Sequence, residues 1–264
     1  MMSTVIGGAM LPHAPQFFTM PETEDKANVE KVRAVAADIG QKLKALKPDL
    51  WIIFSNDHAE QFFHNVCPAF TVHVGGEAKG EFAGRKFHWQ IPSAIGFEIV
   101  RQLNRQGFDP AFTSTARIDY AIGIPLTHIG LTDPVLPIFV NAFVAPQPTA
   151  RRCFAFGQHI ARVVAKSPWN VGIIATGGLS HFPELSLPRV GETDTVFDRK
   201  LIHWMEAGEH APLQELTADE LHKTGGHEFL NWMVLLGAVT PARADVRYFG
   251  ELPRINLAAV EWRL

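Results

Sequence analysis

Three histidines of this 264-residue chain stand where a metal-based chemistry would want them. They are His13 in Leu11-Pro12-His13-Ala14-Pro15, His58 in Ser55-Asn56-Asp57-His58, and His181 in Gly177-Gly178-Leu179-Ser180-His181. Neutral imidazole is the commonest protein ligand for a divalent metal, and two histidines with one carboxylate leave open positions on an octahedral ion. Such a set suits non-haem iron(II), which must take both a substrate and dioxygen. A third histidine is then free to act as acid or base near neutral pH. The carboxylate has four candidates near glycine punctuation: Asp57, Glu192, Glu228 and Glu251. Glu228 is the strongest on local grounds, because it follows Thr224-Gly225-Gly226-His227 and opens an apolar helix. Taken singly, each residue has an ordinary reading. His13 is a loop histidine, His58 belongs to a turn, His181 follows a Gly-Gly turn, and Glu228 is a first-turn glutamate favoured by the helix dipole.

The elements that would position these side chains are legible from hydropathy patterning. Thr4–Met10 is a short buried strand closed by the prolines on either side of His13, which forbid regular helix there. Between Glu24 and Lys47 apolar residues recur at Val29, Val32, Val35, Ala36, Ile39, Leu43 and Leu46, a helical stripe ended by Pro48. The charged run Glu22–Lys26 reads as its solvent-facing start. Asp49–Phe54, Val135–Asn141 and Asn170–Thr176 are continuous apolar runs, the pattern of strands covered on both faces. Helices are expected over Ser93–Gln106, Cys153–Lys166, Asp194–Glu206 and Glu228–Val239, and a final strand over Arg243–Phe249. Strands alternating with helices predict a layered α/β domain, and no linker or repeat divides the 264 residues. In open α/β sheets ligands bind beyond the carboxyl ends of the strands. His13, His58 and His181 each follow a predicted buried strand within a few residues.

Composition narrows the function further. Lys+Arg 24 against Asp+Glu 27 gives a net charge of -3, so no basic field exists to hold a nucleic-acid backbone. The two cysteines, Cys67 and Cys153, form no disulfide framework. No apolar run is long enough to span a membrane, and the amino terminus lacks a basic region followed by an apolar stretch, which predicts a cytoplasmic protein. The 12 histidines contrast with 2 tyrosines. His64, His73, His88, His159, His203, His210 and His222 lie in polar or amphipathic contexts that suggest no role.

In their order along the chain, Leu11-Pro12-His13-Ala14-Pro15, Asn56-Asp57-His58 and Gly177-Gly178-Leu179-Ser180-His181 resemble the class III (LigB-type) extradiol ring-cleavage dioxygenases. The resemblance continues through Phe62-Phe63, Pro68-Ala69-Phe70, Val74-Gly75, Ile118-Asp119, Pro125-Leu126, Pro137, Val140-Asn141, Arg152–Gly157 and Gly226-His227-Glu228, nearly the whole chain. It implies one catalytic domain over residues 1–264, a layered α/β/α fold with a central mixed sheet, and iron(II) as cofactor. It implies that His13, His58 and Glu228 are the iron ligands and that His181 is the acid–base residue. The substrates would be a small aromatic diol and dioxygen, both of whose atoms enter the ring-opened product. The diol would be a catechol, protocatechuate or gallate type, or a dihydroxypyridine. One departure stands out: many relatives have Asp-His where this chain has Asp119-Tyr120, so a phenol replaces an active-site histidine. His128 lies beyond Pro125 and is not a simple substitute, whereas Tyr120 could donate a hydrogen bond to a reactant. The tail Pro253–Ala259 resembles the family's substrate-proximal segment, with Arg254 and Asn256 as candidates to orient a ring substituent. His227, beside Glu228, is a candidate hydrogen-bonding supporter of the ligands. A homo-oligomer is expected on base rates, with a small helical partner subunit as the other assembly used by relatives. Two other readings stay open: a zinc-dependent hydrolase or lyase with the same ligands, and a non-catalytic binding protein of the same fold.

Overall fold

In the computed structural model, which describes residues 4–58, 60–131, 134–182 and 188–264, strands and helices alternate along most of the chain. The first half comprises β1 (Val5–Leu11), α1 (Gln16–Thr19), α2 (Lys26–Ala45), β2 (Leu50–Ser55), β3 (Phe70–His73), β4 (Glu77–Phe82), β5 (Arg85–Gln90), α3 (Ser93–Arg105), β6 (Ala111–Thr113) and α4 (Tyr120–His128). The second half comprises β7 (Val135–Val140), α5 (Ala150–Ala165), β8 (Val171–Thr176), α6 (Thr195–Ala207), α7 (His210–Gln214), α8 (Ala218–Thr224), α9 (Phe229–Val239), β9 (Asp245–Leu252) and β10 (Ile255–Arg263). Eight strands form one mixed sheet in the order β6-β3-β7-β2-β8-β1-β10-β9, and β4 and β5 make a separate hairpin.

The centre of the sheet decides where the site lies. β7, β2, β8 and β1 run parallel as neighbours, so their carboxyl ends lie along one edge. Every residue of β2, β7 and β8 is buried, as their continuous apolar composition requires. Helix α2 starts at Asp25, whose carboxylate accepts from the Asn28 N–H, and buries Val29, Val32, Ala36, Ile39 and Leu43. With α4 it lies against one side of the sheet, while α5 and α9 pack on each other and cover the other side. All eleven residues of α9 are buried, the pattern of a helix enclosed on every face. Two glycines let α5 and α9 approach this closely. A methyl group on Gly157 would lie 1.8 Å from the Val234 carbonyl oxygen, and one on Gly237 1.9 Å from that of Phe154. This contact sets the depth of α9, and therefore of Glu228 at its start.

Several elements differ from the sequence-based expectation. Helix α5 begins at Ala150 under a Thr149 cap, earlier than the apolar stripe suggested. Helix α4 escapes the periodicity test because it is short, contains Pro125 and buries six consecutive residues, Ala121 to Leu126. The strand expected over Arg243–Phe249 is β9, and it is not the last. β10 follows a two-residue turn at Pro253-Arg254 and inserts antiparallel between β9 and β1. The segment that resembles a tail in sequence is thus a buried strand of the central sheet.

Candidate active site

Three loops at the carboxyl edge of β1, β2 and β8 bring the histidines together. His13, His58 and Glu228 each offer a ligand atom, and these atoms lie within 4.8 Å of one another. The focus is a single carboxylate oxygen: Glu228 Oε1 is 2.8 Å from His13 Nε2, 3.3 Å from His58 Nε2 and 4.0 Å from His181 Nε2. Although Glu228 occupies the N-cap position of α9, its carboxylate makes no capping hydrogen bond and turns into the histidine cluster instead. Its second oxygen, Oε2, accepts from the Gly178 N–H at 2.6 Å. That approach needs the glycine pair, since Gly177 has φ +148° and a methyl group there would meet Glu228 Cβ at 3.1 Å.

Supporting groups fix which ring nitrogen faces the cluster. The Thr176 hydroxyl donates to Ser55 Oγ at 2.7 Å, and Ser55 donates on to the Asn56 carbonyl. Thr176 Oγ1 therefore accepts from His13 Nδ1–H at 3.2 Å, and the His13 Nε2 lone pair is aimed at Glu228. His58 Nδ1–H donates to Asp119 Oδ2 at 2.8 Å, while the His58 backbone N–H binds the same oxygen at 3.0 Å. Asp119 Oδ1 in turn caps α4 through the Ala121 N–H. Asn56 is held by Asn231 of α9 at 2.7 Å and directs its own amide to His58 Nε2 at 3.3 Å.

This donor set fits a divalent ion. A bare imidazole nitrogen 2.8 Å from a carboxylate oxygen is repulsive unless a cation, either a proton or a metal, sits between them. Donors placed about 2.1 Å from one ion at right angles would lie about 3 Å apart, close to the 2.8 and 3.3 Å observed here. Each histidine's second nitrogen is committed to a partner, the arrangement that orients metal ligands. The electrostatics agree. Burial works against a charge on His58, yet Asp119 and Glu228 outweigh it and raise its pKa to about 10. Burial likewise opposes the Glu228 charge, but the neighbouring imidazoles of His13 and His181 hold its carboxyl well below the usual carboxylate range. Metal entry would thus displace a proton from His58.

His13, His58, His181, Glu228, Tyr120 and Arg254 all line one cavity of about 750 Å³, ample for a substituted aromatic ring. His181 Nδ1–H donates to the Leu179 carbonyl at 3.1 Å, which leaves Nε2 as the acceptor on the cluster side. The Tyr120 ring stacks on His58 with centroids 4.4 Å apart. Burial, with Glu228 and Asp119 nearby, pushes its phenol pKa up, so the hydroxyl keeps its proton throughout the neutral range. Glu24, expected at a solvent-facing helix start, is instead buried in the cavity wall. His128 packs against Phe17 and Phe18, and burial lowers its pKa to about 4.

Two expected site residues lie elsewhere. Asn256 is fully buried, and its amide binds Thr195 and Asp198 rather than facing the cavity, because β10 is an internal strand. The His227 ring packs between Phe143 and His222, and among the described residues no hydrogen bond joins it to a ligand. The groups that hydrogen-bond His13, His58 and Glu228 are instead Thr176, Asp119 and Gly178. Sequence reasoning noted Asp119 without a function, although an Asp directly before a helix is itself a signal. Of the other carboxylates, Asp57 accepts from the Gln61 and Phe62 N–H groups, while Glu192 and Glu251 pair with Arg189 and Arg199 at the surface. Asp119→Ala is expected to weaken metal affinity by about 10- to 100-fold while leaving the three donors in place. Titration of the chelated protein with iron(II) measures this, and unchanged affinity would refute the orienting role of Asp119.

Comparison with known proteins decides the family. The sequence profile described as the catalytic LigB subunit of aromatic ring-opening dioxygenase matches residues 7–260. The chain belongs to the LigB family. Among its relatives, a 2,3-dihydroxyphenylpropionate/2,3-dihydroxicinnamic acid 1,2-dioxygenase of Klebsiella pneumoniae (strain 342) is 26% identical, over 92% of this chain and 93% of its own. The protein of the same name from Cupriavidus necator is 24% identical over the same shares. The crystal structure of the uncharacterized protein JW3007 from Escherichia coli K12 superposes with a TM-score of 0.66 at 14% identity, covering 97% of this chain and 99% of that one. The two chains share one fold. No helix among the described residues is long and apolar enough to cross a membrane.

Proposed function

We propose that this LigB-family protein is an iron(II)-dependent extradiol dioxygenase acting on a small aromatic diol. The observation that carries the reading is the convergence of His13, His58 and Glu228 beside His181 on the wall of one cavity. An iron(II) ion held by the first three would supply a Lewis-acidic centre with open positions for both reactants. The chain's own residues do the rest. His181 Nε2 takes a proton from a substrate hydroxyl and returns it as the ring opens. Tyr120, a neutral phenol stacked on His58, offers a hydrogen-bond donor that carries no charge. Thr176 and Asp119 hold the ligand rings in one orientation throughout.

Arg254 is the anchor for a substituent on the diol. It stands in the cavity wall at the second position of the Pro253-Arg254 turn, with φ +74°, a backbone conformation that favours glycine. Its stem lies against Gly191, where an added methyl group would meet Arg254 Cγ at 3.2 Å. Guanidinium recognises a carboxylate, and the relatives are named for diols bearing a propionate or cinnamate side chain. Arg254→Gln is expected to raise KM for carboxylated diols by about 10- to 100-fold, the worth of a charge-assisted hydrogen bond, and to leave unsubstituted catechol unaffected. Equal effects on both substrates would remove Arg254 from substrate recognition.

The test of the function begins with metal analysis of protein purified without chelators. Oxygen uptake follows on anaerobically iron(II)-loaded protein offered catechol, protocatechuate, gallate and 2,3-dihydroxyphenylpropionate. The expected result is one iron per chain and one dioxygen consumed per diol, with a ring-opened chromophore. Stoichiometric zinc with hydrolytic turnover would establish the hydrolase reading instead. Tight diol binding without turnover or metal would establish a binding protein.

A further inference from the structure

Outside the ligand cluster the most conspicuous buried charge is Asp198, on the first turn of α6 and with no exposed surface. Its partners are all neutral. Oδ1 accepts from the Ser180 N–H at 3.0 Å, and Oδ2 accepts from the Ser180 hydroxyl at 2.6 Å and from Asn256 Nδ2 at 2.8 Å. Burial pushes its pKa up to about 6. A buried carboxylate without a counter-ion is costly, and an apolar side chain would fill the space at less expense. What the carboxylate does achieve is to hold one residue by main chain and side chain at once. That residue, Ser180, directly precedes His181.

The surrounding bonds extend the clasp. Ser180 Oγ also accepts from the Asp194 N–H at 2.6 Å, and Asn256 Nδ2 donates to Thr195 Oγ1 at 3.0 Å as well, so α6 grips the loop through both ends of its first turn. The Asn256 main chain pairs with both neighbours, its N–H with the Ser180 carbonyl at 3.1 Å and its carbonyl with the Leu179 N–H at 3.0 Å. The Leu179 carbonyl is the acceptor that orients the His181 ring, and the His181 N–H is held by the Gly225 carbonyl at 3.1 Å. The ring nitrogen of His181 is thus oriented through Leu179-Ser180, with the Gly225 carbonyl holding the following N–H, and among the described residues Asp198 is the only charged side chain hydrogen-bonded to that pair.

We propose that Asp198, through Ser180 and with Asn256, is a positioning residue that sets the orientation of the His181 imidazole. This inference rests on the acid–base reading of His181. It also gives Asn256 a role different from the substrate contact expected of it.

The test compares Asp198→Asn, His181→Ala and the double variant, each as the full-length iron-loaded protein. Asp198→Asn keeps the size of the side chain but puts donors where only acceptors fit. It is expected to retain stoichiometric iron and the wild-type KM for the diol, and to lower kcat by about 100-fold, the cost of a misplaced catalytic group. In the His181→Ala background the same change is expected to have no further effect on kcat, because the group it positions is gone. A second readout needs no turnover. In full-length protein labelled with 15N at histidine, loaded with diamagnetic zinc or left metal-free where none binds, the His181 ring is expected to show one tautomer with the proton on Nδ1. Asp198→Asn is expected to give a mixture. Ser180→Ala removes the hydroxyl's bonds with Asp198 and the Asp194 N–H but keeps the Ser180 N–H bond to Asp198. It is expected to shift both readouts less and in the same direction, so it replaces Asp198→Asn if that variant does not fold. An unchanged His181 spectrum, or full additivity in the double variant, would overturn the proposal. Full turnover by His181→Ala would instead overturn the acid–base reading, and the 15N spectrum would then decide the positioning claim alone.

Discussion

Glu228→Ala is expected to leave the protein without stoichiometric metal and with turnover reduced by about 1000-fold or more, since two neutral imidazoles alone hold iron(II) weakly. The magnitude follows from the geometry. Glu228 Oε1 is the atom that both His13 Nε2 and His58 Nε2 approach, and Glu228 is the only carboxylate among the described residues that meets the two histidines through their Nε2 atoms. The residue does not cap its helix, and α9 is buried along its whole length, so the helix itself is expected to survive the change. Elemental analysis after anaerobic loading, with circular dichroism to verify the fold, makes the comparison. A folded Glu228→Ala protein that keeps one tightly held iron would mean that the metal lies elsewhere.

His181→Ala is expected to do the opposite: to retain the metal and lose kcat by about 100- to 10,000-fold, the range that a general acid–base group contributes. The distances separate the two roles. His181 Nε2 stands 4.0 Å from Glu228 Oε1, beyond the 2.8 and 3.3 Å of His13 and His58. Its Nδ1–H is fixed on a backbone carbonyl, so that in the neutral ring Nε2 is the nitrogen that can take a proton. Metal content and single-turnover oxygen uptake measured on the same sample distinguish the cases. If His181→Ala emptied the site of metal, the division between ligand and base would be wrong.

Much of the scaffold could be read from hydropathy alone, because the elements next to the site are the ones with the strongest patterns. The uniformly apolar β2, β7 and β8 and the amphipathic α2 stand out in sequence, being covered on both faces and on one face respectively. The elements that escaped have physical reasons to do so. β3 and β6 are only four and three residues long. Helix α4 has a proline inside it and no polar face. β10 was hidden by Pro253 and Arg254, which resemble the start of a tail but form the turn that returns the chain into the sheet.

By itself the sequence determined the chemical types present: histidines at the ends of apolar runs, a glutamate opening a buried helix, and an ordered set of motifs that a family profile over residues 7–260 also matches. Local patterning suffices for that, because burial on both faces is written into consecutive residues. Only the tertiary structure decided which side chains meet. Strand order puts β2, β8 and β1 side by side and so gathers residues as far apart as 13, 58, 181 and 228, a relation that no local period encodes. It also separated contact from support. Asp119 and Thr176 hold the His58 and His13 rings, whereas Asn256, expected at the substrate, is turned by the alternation of β10 into a buried clasp around Ser180. The direction of a side chain depends on the register of its strand, and that register is fixed by pairing with β9 and β1, far from Asn256 in sequence or across a turn.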